Sequence, residues 1–223
     1  MKKVGWIVVL AAAIGLSAIA GLGALEAELV YAVGEVRVRQ QGVRLEGEIG
    51  MLLGSGDIIE TGSDGAAILQ LGNRADLKLR ENTILALDTL GEEVAVKLSR
   101  GGLFSRVAAR LRGRYSVLTQ TAVAGVRGTE FFVAYGRTID RYPDIWLCVN
   151  DGRVEVKVLD TDEKIIVEEG KGINIVGGTR LTRPRPYAWT RRLNWNTDPA
   201  QGEVVDRTDL EQAYSDLLDQ DYD

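Results

Sequence analysis

The chain has no histidine and a single cysteine, and each scarcity narrows its chemistry. Without histidine there is no Ser-His-Asp or Cys-His nucleophilic machinery, no His-ligated zinc and no ordinary general base near neutral pH. One cysteine, Cys148, excludes an intrachain disulfide even in a compartment that would permit one. Its surroundings, Ile145-Trp146-Leu147-Cys148-Val149, read as a strand apolar on both faces, which predicts a buried structural thiol rather than a reactive one. A Gly-rich phosphate loop, a G-x-S-x-G elbow and metal-spaced cysteines are also missing. The reading is therefore no catalytic residues, no cofactor and no metal. Paired carboxylates for glycoside hydrolysis stay open in principle, but nothing nominates a pair. The net charge of −5 is too mild to point to a partner.

Charge is absent altogether from Val4 to Leu25, an apolar run that follows Met1, Lys2 and Lys3 and ends at Glu26. Small residues such as Ala20, Ala24 and Ala27 suit cleavage of a secretory signal, whereas the length of the run suits an uncleaved anchor. Either version keeps the lysines inside and sends everything after Glu26 across the membrane. No cysteine lies near the end of the run, which argues against a lipid-modified N-terminus. The expected location is extracytoplasmic, in the periplasm or cell envelope, with membrane association if the segment is kept.

What the body does have is a period of two. From Val33 to Val176 apolar and polar residues alternate over short runs, and helical patterning is absent. Val36 and Val38 alternate with Arg37 and Arg39, Leu77 and Leu79 with Asp76, Lys78 and Arg80, and Val154, Val156 and Val158 with Arg153, Glu155 and Lys157. Val94, Val96 and Leu98 follow the same rule. Turn signals separate the runs at Gly56-Asp57, Asp64-Gly65, Gly72-Asn73, Asn82-Thr83 and Asp151-Gly152. Phe104 to Leu111 fits a helical turn or a strand with outward arginines equally well. Strands with one apolar face cannot bury it alone, so they must stack into a sandwich, a barrel or a coil of sheet.

Several elements, in order, resemble the FecR domain of iron-dicitrate-type sensor regulators. Gly34-Glu35-Val36-Arg37-Val38 resembles its opening strand, and Gly56-Asp57-Ile58-Ile59-Glu60-Thr61-Gly62 its GD-x-I-x-T-G turn. Ala67 to Leu71 and Ala75 to Leu79 resemble the hairpin that follows, and Thr121 to Phe131 the V-R-G-T-x-F core. Asn150 to Val156 and Gly170 to Ile173 match the late strand and last turn. The usual Thr-Pro is replaced by Thr119-Gln120-Thr121-Ala122. The resemblance implies an all-β fold with an antiparallel, β-helix-like or sandwich-like body. It makes Gly56, Asp57, Thr61, Gly62, Gly125, Gly128, Thr129 and Phe131 the structural positions. Independently of it, Gly125 and Gly128 flank Arg127 in a pattern that predicts a tight backbone excursion, with Arg127 held in an ion pair, for instance to Glu130, or presented to a ligand. In the sensor regulators a cytoplasmic anti-sigma segment precedes the membrane helix; only Met1 to Lys3 do so here, which argues against direct sigma-factor control.

Two basic clusters and an acidic tail are the other candidates. Between Val94 and Thr129 lie Lys97, Arg100, Arg106, Arg110, Arg112, Arg114 and Arg127, with no acidic residue among them. They suit an anionic envelope polymer or an acidic partner, or are a solvated face balanced by acids on neighbouring strands. After the body, Arg180, Arg183, Arg185, Tyr187, Trp189, Arg191, Arg192 and Trp195 surround Pro184 and Pro186. Export argues against nucleic acid. The tryptophans pack on the β body, or Trp189 and Trp195 offer flat faces to a glycan. Val205, Leu210, Ala213, Tyr214, Leu217 and Leu218 fall at helical spacing among acids, which predicts an acidic amphipathic helix that docks on its own domain or enters a partner's groove.

The expected organisation is a signal or anchor helix at 1–27, a FecR-like all-β domain at 30–178, an Arg/aromatic linker at 179–202 and an acidic helix at 203–223. The expected function is a non-enzymatic cell-envelope module that senses, scaffolds or binds another protein, with peptidoglycan or glycan binding as the alternative.

Overall fold

The computed structural model describes residues 26–109, 113–126, 128–138, 142–210 and 212. The apolar run at 4–25, Arg110, Arg112, Arg127 and nearly all of the acidic tail beyond Leu210 lie outside these residues. No helix among the described residues is long and apolar enough to cross a membrane.

The period of two becomes strand after strand. In chain order these are β1 (Ala27–Val33), β2 (Val36–Gln40), β3 (Val43–Glu46), β4 (Leu52–Leu53), β5 (Ile58–Thr61), β6 (Ala66–Leu71), β7 (Ala75–Leu79), β8 (Ile84–Leu90) and β9 (Val94–Arg100). There follow β10 (Gly102–Val107), β11 (Tyr115–Leu118), β12 (Ala122–Val126), β13 (Thr129–Thr138), β14 (Pro143–Asp151), β15 (Arg153–Val158), β16 (Lys164–Glu168), β17 (Gly172–Val176) and β18 (Arg180–Leu181). The strand option at Phe104 is the one realised, and it ends at Val107.

These strands form two nine-stranded sheets, and the chain passes repeatedly from one to the other. The first runs β18-β17-β14-β13-β10-β7-β6-β1-β4, the second β16-β15-β12-β11-β9-β8-β5-β2-β3. All pairings are antiparallel except β9 with β11. There the chain spends a single strand, β10, in the opposite sheet before returning, so β11 comes back in the direction of β9. A two-strand visit would have reversed it. This rung is where the sandwich acquires the coiled, β-helix-like character.

Between the sheets the inward side chains stack in registered rows. Val38, Ile59, Leu85 and Leu98 are paired in sequence across the second sheet. Leu79, Leu103, Val133 and Leu147 do the same across the first. All are buried. Burial of one such side chain contributes about 1.5–3 kcal/mol, so the rows set the register as well as the stability. Tyr115 and Ser105 meet across this apolar space, their hydroxyls 3.0 Å apart, and burial raises the Tyr115 phenol above its ordinary range.

The turns carry the strained backbone. Gly34 has φ +63°, and a Cβ there would sit 2.2 Å from the Asp64 carbonyl oxygen. Gly128 has φ +62° and a would-be Cβ 2.7 Å from Ala109 Cα, whereas Gly125 is an ordinary residue of β12 whose would-be Cβ lies in ordinary contact, 4.0 Å from the Glu155 carbonyl oxygen. The tight excursion expected at both glycines is thus made by Gly128 alone. The expected helix at 203–223 is also revised at its start. Residues 203–209 are not helical, because Val204 and Asp206 are drawn down onto the body.

Replacing Gly34 by alanine is expected to destabilise the protein by about 1–3 kcal/mol, from left-handed backbone plus collision, while Gly125→Ala stays within about 0.5 kcal/mol. Urea denaturation of the two variants checks the contrast.

Candidate interaction site

The outer face of the first sheet is apolar where an exposed sheet face is normally polar. Ile68, Lys78, Phe104, Phe132 and Cys148 are neighbours in register across β6, β7, β10, β13 and β14, and all point away from the inter-sheet core. All are nevertheless buried. Residues 185–208 lie across them as a strap.

The strap begins with a reciprocal pair of backbone hydrogen bonds between Gly172 and Arg185, 2.8 and 3.0 Å. A 3-10 turn at Ala188–Arg191 then presents Trp189, whose ring centroid lies 6.0 Å from Trp146 and 6.5 Å from both Phe132 and Tyr187. Trp195 meets Phe104 edge-on at 5.3 Å. Aromatic contacts of this kind add about 0.5–1.5 kcal/mol each beyond the area they bury.

Polar chemistry fixes the second half of the strap. The Asn194 and Asn196 side chains each accept from the backbone N–H two residues on, at 3.0 Å, which curls the chain and turns its carbonyls inward. Lys78 reaches up from β7 and donates to the carbonyls of Asn194 and Asn196, the second at 2.8 Å. Its ammonium also lies 4.2 Å from the centre of the Phe104 ring. Burial is the main cause of a Lys78 pKa lowered to about 8, partly opposed by Asp206 and Glu130.

Arg80 makes the second tie. It is 5% exposed, its Nη2 donates to the Thr208 carbonyl at 2.8 Å, and its Nε lies 3.3 Å from Asp206 Oδ2. Asp206 closes the loop by accepting from Asn194 N–H at 2.7 Å and from the Thr208 hydroxyl at 2.9 Å. Two open grooves flank this latch. One, of about 420 Å³, runs between Ser63–Gly65, Glu81 and residues 205–210; the other, of about 360 Å³, lies between Trp189, Arg192 and residues 206–209. Among the described residues no three His, Cys, Asp or Glu side chains come together to hold a metal ion.

The residues singled out from the sequence fall in several places. Trp189 is 2% exposed and has no free face for a sugar ring, so the glycan reading loses that residue; Trp195 is half-buried. Arg106 pairs with Glu130 at 2.8 Å and also donates to the Trp195 carbonyl, so Glu130, one partner considered for Arg127, is engaged by Arg106. Arg114 and Lys97 are exposed. Arg110, Arg112 and Arg127 lie outside the described residues.

The turn residues act within the fold. Gly56, at φ +91°, lets the Asp57 carboxylate accept from Gly54 N–H and from Gln40, at 2.8 and 2.9 Å. The Thr61 hydroxyl donates to the Arg80 carbonyl and accepts from Thr83 N–H, Gly62 N–H donates to Glu35, Thr129 donates to the Arg153 carbonyl, and Phe131 is fully buried. Cys148 is buried beneath the strap, and burial pushes its thiol well above the ordinary range.

Lys78, Arg80 and Asp206 were not singled out from the sequence. Alternation placed the two cations on a solvated face. The available signal was that Ile68 and Phe104, which flank Lys78 in register, and Phe132 beside Phe104 are too apolar for such a face.

The body is all-β, of two sheets, with an apolar outer face covered by its own polypeptide. The sequence profile of the FecR protein family matches residues 57–171, more than half of the chain, and the chain belongs to that family. Two crystal structures of a candidate anti-sigma factor from Parabacteroides distasonis ATCC 8503, at 1.65 and 2.50 Å resolution, are similar at 19% identity and a TM-score of 0.49. The similarity covers 58% of this chain and 59% of that one. Comparison with curated protein sequences gives no match.

The lowered Lys78 pKa makes stability depend on pH in a stated direction. Between about 8 and the ordinary 10.5 the unfolded chain holds the proton and the folded chain has released it, so stability rises with pH. The contribution is fully present above 10.5 and lost as pH falls through about 8. Denaturant titrations across this window are expected to show the rise in the native chain and a flatter limb in Lys78→Met.

Asp206→Ala removes the buried one of the two carboxylates beside Arg80, leaving the half-exposed Glu81 at 2.8 Å, and is expected to cost about 1–3 kcal/mol. Release of the strap relieves that cost locally. Hydrogen exchange is expected to quicken across residues 185–208 while β9, β11 and β12 stay protected.

Proposed function

We propose that this FecR-family protein is a non-enzymatic cell-envelope module that senses or scaffolds by binding another polypeptide. The observation that carries the reading is the strap. The outer face of the first sheet holds a polypeptide by aromatic packing, by carbonyl-directed Lys78 and by a backbone bridge at Gly172, the same set of contacts an extended peptide ligand would use. The two grooves beside the latch give a partner access to its charged groups. An envelope location is supported by the uncharged run from Val4 to Leu25 behind Lys2 and Lys3.

Photo-crosslinking in cells, with the full-length chain carrying the reactive group at Glu81 or Arg207, tests this. One envelope protein should dominate the captured material, and a probe at Lys97 on the second sheet should not capture it. Glycan without protein would move the assignment to a wall-binding module, and equal capture at all three positions would remove the site.

A further inference from the structure

The sandwich is open at one end. β3 and β4 are the last strands of the two sheets on that side, and Val43, Leu45, Ile49 and Leu52 there are 58%, 39%, 66% and 53% exposed. Leu45 lies opposite the buried Val38 in register, so it and Val43 are core-facing residues that no strand covers. Gln40, opposite Val43, donates to the Leu52 carbonyl at 3.1 Å and holds β4 against the tip of the same hairpin.

The free edge of β3 has a definite polarity. Gln41 and Gly42, at φ +51° and +83°, make a two-residue hairpin turn of the primed type, and Gly47 N–H donates to the Val36 carbonyl at 2.9 Å. Hydrogen-bonded and non-bonded pairs alternate in an antiparallel ladder, so Val43 and Leu45 turn their backbone groups to β2. Arg44 and Glu46 turn theirs outward, at the sheet edge, with no backbone partner among the described residues.

We propose that β3 is an edge at which two copies of this chain pair, antiparallel and about a two-fold axis through Leu45. A two-fold axis normal to the sheet keeps each side chain on its own face, so residues can oppose only in registers of even sum. Centred on Leu45, Arg44 faces Glu46 of the second copy and Leu45 faces Leu45. The pairs that oppose charge are also the pairs whose backbone groups point outward, so each exchanges both N–H···O bonds. Centring on Arg44 instead would oppose arginine to arginine.

The single chain gives those charges little. Arg44 lies opposite Arg39 within the hairpin and Glu46 opposite Arg37, but Arg39 is paired with Glu60 and Arg37 with Glu35, and neither Arg44 nor Glu46 has an ion pair among the described residues. A charged, four-residue edge ordinarily resists association, and here the charge order selects one partner, itself.

The test uses full-length chains with one added cysteine, oxidised in cells; Cys148 is buried and serves as the background. Leu45→Cys should form a covalent dimer. Val43→Cys, which would face Gly47 of the second copy, and Ile166→Cys, on the opposite free edge, should crosslink about tenfold less. Adding Arg44→Glu to Leu45→Cys should weaken dimerisation about tenfold by opposing glutamate to glutamate, and Glu46→Arg added to that should restore it. Arg44→Glu relieves the Arg39 repulsion, so its loss of dimer would not reflect unfolding. Absent crosslinking at residue 45, dominance of residue 166, or indifference to Arg44→Glu would each overturn the proposal.

Discussion

The outer face of the first sheet cannot be left in water, and the rest of the molecule is arranged around that constraint. Phe104, Phe132 and Trp146 make it apolar, and Lys78 and Arg80 stand within it as cations that need partners once it is covered. A purely apolar cover would strand both charges at several kcal/mol each. The strap answers with carbonyls for Lys78 and a carboxylate for Arg80, delivered by a stretch of chain that Asn194, Asn196 and Asp206 fold into shape. Aromatic burial supplies most of the adhesion, and the buried charges supply position, since Lys78 meets the Asn196 carbonyl, and Arg80 the Thr208 carbonyl and the Asp206 carboxylate, in this seating.

The two faces of the sandwich are unequal as a result. The first sheet is buried on both sides over its centre, whereas the second shows small and polar side chains such as Ala86, Ala95, Ser116 and Lys97 to solvent. The single parallel rung between β9 and β11 lies near the middle of that second sheet, and the edges carry the short strands. The asymmetry separates what the protein holds by itself from what it leaves for others.

The strands were legible in the sequence because each half-buried run follows a strict period of two. Val36 to Arg39 and Arg153 to Val158 are strands for that reason, and Gly56, Gly72, Asn82 and Gly152 punctuate them with positive φ. The burial of Cys148 was legible because its neighbours are apolar on both faces. Lys78 and Arg80 were not, because alternation assigns a residue to a face but says nothing of what covers the face. Their cover lies more than a hundred residues away, in a segment with no strand or helix period of its own. Gly125 was over-read for a related reason: the letter permits a turn without requiring one, and only Gly128 has a neighbour close enough to demand it.

The strap also has a redox consequence. Cys148 sits in the covered row with Phe132 and Trp189, and it is the sequence's one thiol. Outside a reducing cytoplasm, an uncovered lone thiol is open to sulfenic acid formation or to mixed disulfides with whatever passes. Holding the sulfur in an apolar layer keeps it protonated and unreactive, so the segment that closes the sheet also preserves the one cysteine, and lifting that segment in an oxidising compartment would open the thiol to such chemistry.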